Sequence, residues 1–302
     1  GTAFLVGAAH RAAPGPADRD AAEGAIQALG IGALALVLLS AFLHAGWNAL
    51  LKGSDDKAAA SVLLGAVSVI AALLAGGAFF ELEAPRAAWP WMLACGLVEI
   101  GYFVTLSAAL ERLPLGTGYG LSRGLGLLLV VPGSMWVFGE RLGLVELGGA
   151  ALLCVGLFAL VQGAASRRGV LLAGLCGLTI AIYPLLYKRA LVEGIDAFSL
   201  FVGSVGVSLP GQILLLGRRR RERLAASLRT ERWRVVVAGV LTCASFVLFL
   251  VVLREHGAGR LTALRNASVV FASLFAMARG EGRTLRDGLS AAAVAAGCVL
   301  LS

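Results

Sequence analysis

Apolar runs of about 20 residues recur almost end to end along this 302-residue chain, and a run of that length crosses the hydrocarbon of a bilayer as a helix. Ten runs can be placed, near 31–51, 58–80, 89–110, 116–138, 143–163, 169–187, 196–217, 234–253, 258–278 and 285–302. Hydrocarbon offers backbone N–H and C=O groups no water, so each run must satisfy them within itself, as a helix does. The sequence is 59% hydrophobic and 15% charged, where a soluble domain carries about 25% charged residues. Almost nothing remains from which to build a soluble domain. The expected fold is an all-α integral membrane protein with about ten transmembrane helices.

The formal net charge of +8 comes largely from one loop, Arg218 to Arg221 followed by Arg223, Arg229, Arg232 and Arg234. Lying between two apolar runs, it reads as a face held against anionic lipid, and no nucleic-acid partner is expected. Cys95, Cys154, Cys176, Cys243 and Cys298 sit inside apolar runs with no CxxC or Cys/His spacing, and read as small buried hydrophobes. Neither a metal nor a cofactor is expected. Residues 1–27 hold Pro14, Pro16 and mixed charge with a very short apolar patch, a poor signal peptide, and read as a flexible leader.

The halves look alike. The segment from Tyr102 (YFVTLSAALERLPLGTGYGLSRG) and the one from Ser245 (SFVLFLVVLREHGAGRLTALRNA) share an apolar span, a charged break and a second span with an arginine near its start. Each later reaches a Gly-Glu pair, Gly139-Glu140 and Gly280-Glu281. Five spans per half is an odd number, so the second copy enters the membrane upside down. Inverted repeats of this kind build a site at the midplane between the halves. The expected domains are the leader, a first repeat over 28–165 and a second over 166–302. Loops after odd-numbered spans hold about 16 Lys and Arg against about 8 elsewhere, which places both termini outside.

Three motifs, HAGWNALLK from His44, GYGLSRG from Gly118 leading to FGERL, and LTALRNASVVFA from Leu261, resemble the drug/metabolite transporter superfamily, in particular its EamA-type ten-helix branch. The likeness runs over roughly 30–302. It implies two inverted five-helix repeats, a central polar cavity and alternating access driven by exchange or proton coupling. It also implies termini inside, against the loop count. Many relatives carry a glutamate where Asn266 stands, so a carboxylate role there does not carry over.

An ionisable group inside a bilayer costs about 2.5–3.5 kcal/mol even on lenient scales, so each needs a partner or a water-lined face. His44, Trp47 and Asn48 share one helix face, with Lys52 a turn further. The stripe reads as a wall of the substrate path, or as interhelical bonding by Asn48 with Lys52 snorkelling to the interface. Tyr119, Ser122 and Arg123 repeat the spacing in the fourth span. Gly116, Gly120 and Gly124 form an adjacent strip for close packing, which frees the Tyr/Ser/Arg strip to face a cavity. Thr262, Arg265 and Asn266 make the matching stripe in the ninth span. Two arginines near a pseudo-twofold axis set up a fixed positive field suited to carboxylate or phosphate. Arg123 as a structural partner of Glu99, or an arginine beside a headgroup, stays open.

Glu99 lies mid-span with Tyr102 a turn on, and reads either as a proton-coupling group or as half of a permanent Glu-Arg pair. Tyr183 and Tyr187 flank Pro184, and Pro132 and Pro210 interrupt two other spans; they read as cavity walls or hinges, or the tyrosines as interfacial anchors. Glu140 and Glu281 read as solvated caps at the membrane edge. Gly120 to Gly124 fits GxSxG, but a nucleophile elbow needs a strand-turn-helix setting, and the Asn266-Ala267-Ser268 sequon lies inside a span. No enzyme is expected, and no GxxxxGK[ST] loop is present to bind ATP.

The expected function is a secondary active transporter of a small polar metabolite, anionic or zwitterionic, multi-pass in the plasma (inner) membrane. Its partners would be that substrate and membrane lipid, with a homodimer open. The candidate substrate-binding set is His44, Trp47, Asn48, Tyr119, Ser122, Arg123, Tyr183, Arg265 and Asn266. The alternatives are a lipid or headgroup-handling protein and a non-transporting scaffold or sensor.

Overall fold

The computed structural model describes residues 29–79, 84–161, 166–278 and 285–302; the leader, Gly280 and Glu281 lie outside them. Eleven α-helices are formed there: α1 (Ile31–Lys52), α2 (Lys57–Phe79), α3 (Trp89–Arg112), α4 (Leu115–Phe138), α5 (Leu144–Ala159), α6 (Arg167–Val192), α7 (Ala197–Leu215), α8 (Arg220–Glu255), α9 (Ala258–Arg265), α10 (Ser268–Ala278) and α11 (Leu285–Leu301). Seven of them, α1 to α4 and α6 to α8, are long and apolar enough to cross a membrane. Helix α5 has 16 residues and α11 has 17, about 24 and 26 Å at 1.5 Å per residue. The ninth expected span is built from two helices, α9 and α10, in sequence. The molecule is therefore an all-α membrane protein of about ten spans.

The pairing of helices obeys an exchange. Helix α1 packs on α8 as α6 packs on α3, α2 on α8 as α7 on α3, and α4 on α6 as α9 and α10 pack on α1. Helices α5 and α11, which the exchange swaps, pack on each other, as do α2 and α7. Each of these pairings has its counterpart when the first five spans are exchanged with the last five. Glycine sets how close the crossings come. A Cβ added at Gly149 would lie 2.8 Å from the Gly297 carbonyl, and one at Gly297 would lie 2.7 Å from that of Gly149. The Gly120 and Gly124 strip of α4 faces α5, where an added Cβ would run into the Leu157 carbonyl and the Phe158 ring.

Three departures from the sequence reading matter. Helices α4, α6 and α7 each run through their proline, Pro132, Pro184 and Pro210, whereas the ninth span breaks at Asn266 with no proline present. The arginine-rich segment is the start of a helix, Arg220–Glu255, with non-helical backbone at Glu231 (φ −127°, ψ 21°). That segment is tied to the α1–α2 turn. Arg223 grips Asp56 through Nε and Nη2 at 2.6 and 2.7 Å, and Glu231 Oε1 accepts the Asp55 amide at 3.0 Å. Arg234 donates to the Gly53 carbonyl at 2.8 Å.

The third departure is Glu140. Gly139 ends α4 in the left-handed conformation (φ 66°), a backbone state that favours glycine. The turn delivers the Glu140 carboxylate to the start of α9, where it accepts the amides of Gly259 at 2.9 Å and Arg260 at 3.0 Å. Ser134 donates to it as well. Helix N-termini carry orphan N–H groups and a partial positive charge, so Glu140 is committed to capping α9 and is not a free, solvated cap.

Candidate functional site

At the centre of the bundle, the stripes expected on α1, α4 and the ninth span converge. His44, Asn48, Ser122, Arg123, Thr262, Arg265 and Asn266 are all buried, and the imidazole of His44 is the hub. Its Nε2 meets Arg123 Nη2, and its Nδ1 lies 3.1 Å from Arg265 Nη2. Arg123 also reaches Asn266 Oδ1 at 3.5 Å, so the two polar stripes touch across the bundle.

Each guanidinium is steadied by aromatic faces and hydroxyls in place of a carboxylate. Arg265 lies 4.5 Å from the Phe246 ring centre and 4.4 Å from that of Phe249, and Arg123 lies 4.7 Å from that of Tyr119. Rings attract such cations by about 0.5–2 kcal/mol each. Ser245 Oγ accepts from Arg265 Nη2 at 3.1 Å and donates to the Ser40 carbonyl at 2.9 Å, while Ser40 Oγ returns a bond to the Ser245 carbonyl at 2.7 Å. This reciprocal pair locks α1 to α8 behind the arginine.

Several polar atoms in this region are buried without a hydrogen bond: Arg265 Nε and Nη1, Trp47 Nε1, Tyr119 Oη, Asn48 Oδ1, Thr262 Oγ1 and Ser268 Oγ. An unsatisfied buried polar atom costs about 1–3 kcal/mol, and native proteins carry few. Such a cluster, rich in donors, marks the candidate site. Ser122 is not among them, since its hydroxyl bonds the Gly118 carbonyl at 2.7 Å within its own helix. Tyr183 stands beside Arg265, stacking edge-on with Tyr102 and Tyr187 and tilted against Phe246.

The ninth span is broken at the site itself. The amides of Asn266 and Ala267 bond to carbonyls three residues back, Ala263 at 3.0 Å and Leu264 at 3.0 Å. Asn266 Nδ2 takes the Thr262 carbonyl at 3.1 Å, doing with a side chain what a backbone amide does in an unbroken helix. Side-chain competition of this type is why Asn disfavours helix interiors.

Glu99 stands apart from both arginines. Tyr187 donates to its Oε1, as does Ser204 at 3.1 Å, and Oε2 has no hydrogen bond. The expected Glu99–Arg123 pair is not formed. Lys52 does not snorkel; Nζ donates to the Leu110 and Leu113 carbonyls at 2.7 and 3.3 Å, closing the C-terminal end of α3. The residues missed from sequence are Ser40, Ser245, Phe246 and Phe249. Ser40 was within reach, one turn before His44 on its stripe. Phe246 and Phe249 look like any apolar pair on an apolar helix.

A cleft of about 160 Å³ opens elsewhere, between α2, α3 and α7, lined among others by Ser61, Ser107, Glu111, Arg112 and Gln212. It shares no residue with the central cluster. The unmet donors, not this cleft, define the candidate site. Among the described residues no three of His, Cys, Asp and Glu gather as metal ligands would.

Fold and site together define a multi-pass helical membrane protein with a closed, positively charged centre. Residues 167–302 match the model of the EamA-like transporter family. That stretch opens at the start of α6. A crystal structure with 17% sequence identity is similar in fold, with a TM-score of 0.71 over 89% of this chain and 96% of that one.

Proposed function

We propose that the protein is a secondary transporter that moves a small anionic or zwitterionic metabolite through the centre of the bundle by alternating access. One observation carries the choice of substrate charge: Arg123 and Arg265 are buried side by side on His44, and among the described residues neither has a carboxylate partner. Burying an uncompensated charge costs several kcal/mol, a cost offset when a ligand brings the opposite charge. A cationic ligand would add to the repulsion. The broken ninth span fits the same reading, because transporters commonly build their sites where a spanning helix is interrupted.

Detergent-purified protein tested for thermal stabilisation by carboxylates, phosphate esters, zwitterions and amines decides the matter, since a ligand that binds the folded state raises its melting temperature. Anions or zwitterions should stabilise the wild type and fail to stabilise folded Arg265→Ala. Stabilisation by amines alone would overturn the reading.

A further inference from the structure

His44 cannot satisfy both arginines. A neutral imidazole has one N–H and one lone pair, and a guanidinium only donates. Yet both ring nitrogens of His44 face a guanidinium Nη2. Whichever tautomer forms, one of the two contacts is a hydrogen bond and the other sets N–H against N–H. Protonating the ring would leave both contacts donor against donor and place three positive charges together. The centre is thus one acceptor short, and it becomes two short if His44 takes a proton.

No carboxylate is among the charged groups acting on His44. The charged groups acting on His44 are Arg123 of α4 and Arg265 of α9. Helix α8 faces it with Phe246, α1 itself with Trp47, and α10 has no titratable residue in its sequence. Helix α2 brings only Lys57, at its first residue and bonded to the Ser54 carbonyl. Glu99 is held by Tyr187 and Ser204.

From this geometry we infer that the transported anion and one proton bind together, with His44 as the proton acceptor. This inference rests on the anion site proposed above. Oxygens of the anion enter between the ring and the guanidiniums, and a proton from water adds to the imidazole lone pair. Both ring nitrogens then donate to anion oxygens. Two guanidiniums and an imidazolium now share a counter-charge, and every ring N–H has an acceptor. By linkage, a proton that strengthens anion binding is itself held more tightly when the anion is present. The site thereby carries anion and proton as one load.

Titration calorimetry on the purified full chain tests this, with sulfate and oxalate as probes because their own charge is constant across neutral pH. Run in buffers of different ionisation enthalpy, it counts protons taken up with each anion. We expect close to one proton per anion in wild type, and an affinity that rises as pH falls, by up to about tenfold per pH unit on the steep limb. His44→Gln keeps a hydrogen-bonding side chain without a titrating one, and should bind with no proton uptake and a flat pH profile. Binding by wild type without proton uptake would overturn the inference and leave the anion site standing. Proton uptake that survives in His44→Gln but vanishes in Glu99→Gln would overturn it too, by moving the proton to Glu99. If wild type bound neither probe at any pH, the anion site and the inference would fall together.

Discussion

The two halves agree at the ends of their helices and disagree in the middle. Lys52, closing α1, donates to the Leu110 and Leu113 carbonyls of α3. Lys188, on α6, donates to the Leu253 and Arg254 carbonyls of α8, both at 2.9 Å. In the register that aligns Tyr102 with Ser245, Leu110 falls on Leu253, so one lysine clamp is built twice. The centre is not built twice. Arg123 aligns with Asn266 and Ser122 with Arg265; α4 runs unbroken past Arg123, while its counterpart breaks after Arg265. Glu99 aligns with Thr242, which spends its hydroxyl on the Ala238 carbonyl of its own helix. Packing and end-capping make the same demands on both copies. A ligand has no such symmetry, and a site of the kind proposed above is free to depart from it.

The difference is sharpest at Arg265. In the symmetric scaffold, removing a charged group strands its partner. At Arg265 there is no carboxylate to strand among the described residues, and two of its donors have no hydrogen bond. Arg265→Ala should therefore weaken anion binding about 100-fold, the worth of one or two charge-assisted hydrogen bonds at about 1.5–3 kcal/mol each. The ligand-free protein should melt no lower than wild type, because a buried, unpaired charge has been removed. Stability in detergent and affinity by calorimetry check the pair. A variant that loses several degrees without ligand would show that Arg265 is scaffold and erase the distinction between ends and middle.

Glu140 tests the opposite region. It serves two amides of α9 and the Ser134 hydroxyl, and α9 leads directly to Arg265. Glu140→Ala removes a cap and its favourable charge at a helix N-terminus, a loss of about 2 kcal/mol in stability. Here affinity should fall only as far as α9 loosens, so the stability change should dominate. Glu140→Gln, which keeps an acceptor oxygen, should recover about half of it. If the alanine variant were as stable as wild type, the carboxylate would be a solvated group, as its place at the end of an apolar run suggests.

How much of this was legible follows from what each signal depends on. Span length and polarity are local, so the spans and the stripes through His44, Arg123 and Arg265 could be read directly. The break at Asn266 could not, because nothing in LTALRNASVV differs from a helix with two polar residues on it. At the break the Asn266 side chain bonds the Thr262 carbonyl, but Asn48 makes the same bond to the His44 carbonyl in the unbroken α1, so the residue type alone does not mark an interruption. The three prolines, the usual sign of interruption, lie in helices that continue. The direction of Glu99 was also hidden. Its partner depends on how α3 meets α6 and α7, and an arginine on α4 is the more obvious candidate until Tyr187 and Ser204 are seen beside it. Glu140 misled for the same reason, since its target lies in the other half of the chain.

The two lysine clamps should weigh alike. Each donates to two carbonyls at the C-terminal end of a helix, where a cation is favoured by the dipole, and both lysines are partly exposed. Lys52→Met and Lys188→Met should each cost about 1 kcal/mol, and the double variant should cost the sum, because they cap different helices. Melting temperatures of the three variants decide it. A large difference between the single variants would mean that the copies diverge at their ends as well.

The smallest effect belongs to a contact with no counterpart among the described residues of the other half, the Asp56–Arg223 pair that pins the arginine-rich start of α8 to the α1–α2 turn. The hydrogen-bonded guanidinium holds the Asp56 carboxyl below its ordinary value of 3.8. The unfolded chain therefore binds a proton at Asp56 before the folded one does. The pair stabilises the fold above about pH 4, and that contribution disappears as pH falls through the depressed folded value. With side chains 35% and 29% exposed, solvent screening limits it to under about 1 kcal/mol. Asp56→Asn should lower the melting temperature slightly at neutral pH and converge with wild type in acid. Curves that stay parallel down to pH 3 would show that the pair contributes nothing, leaving Glu231 and Arg234 to hold the segment in place.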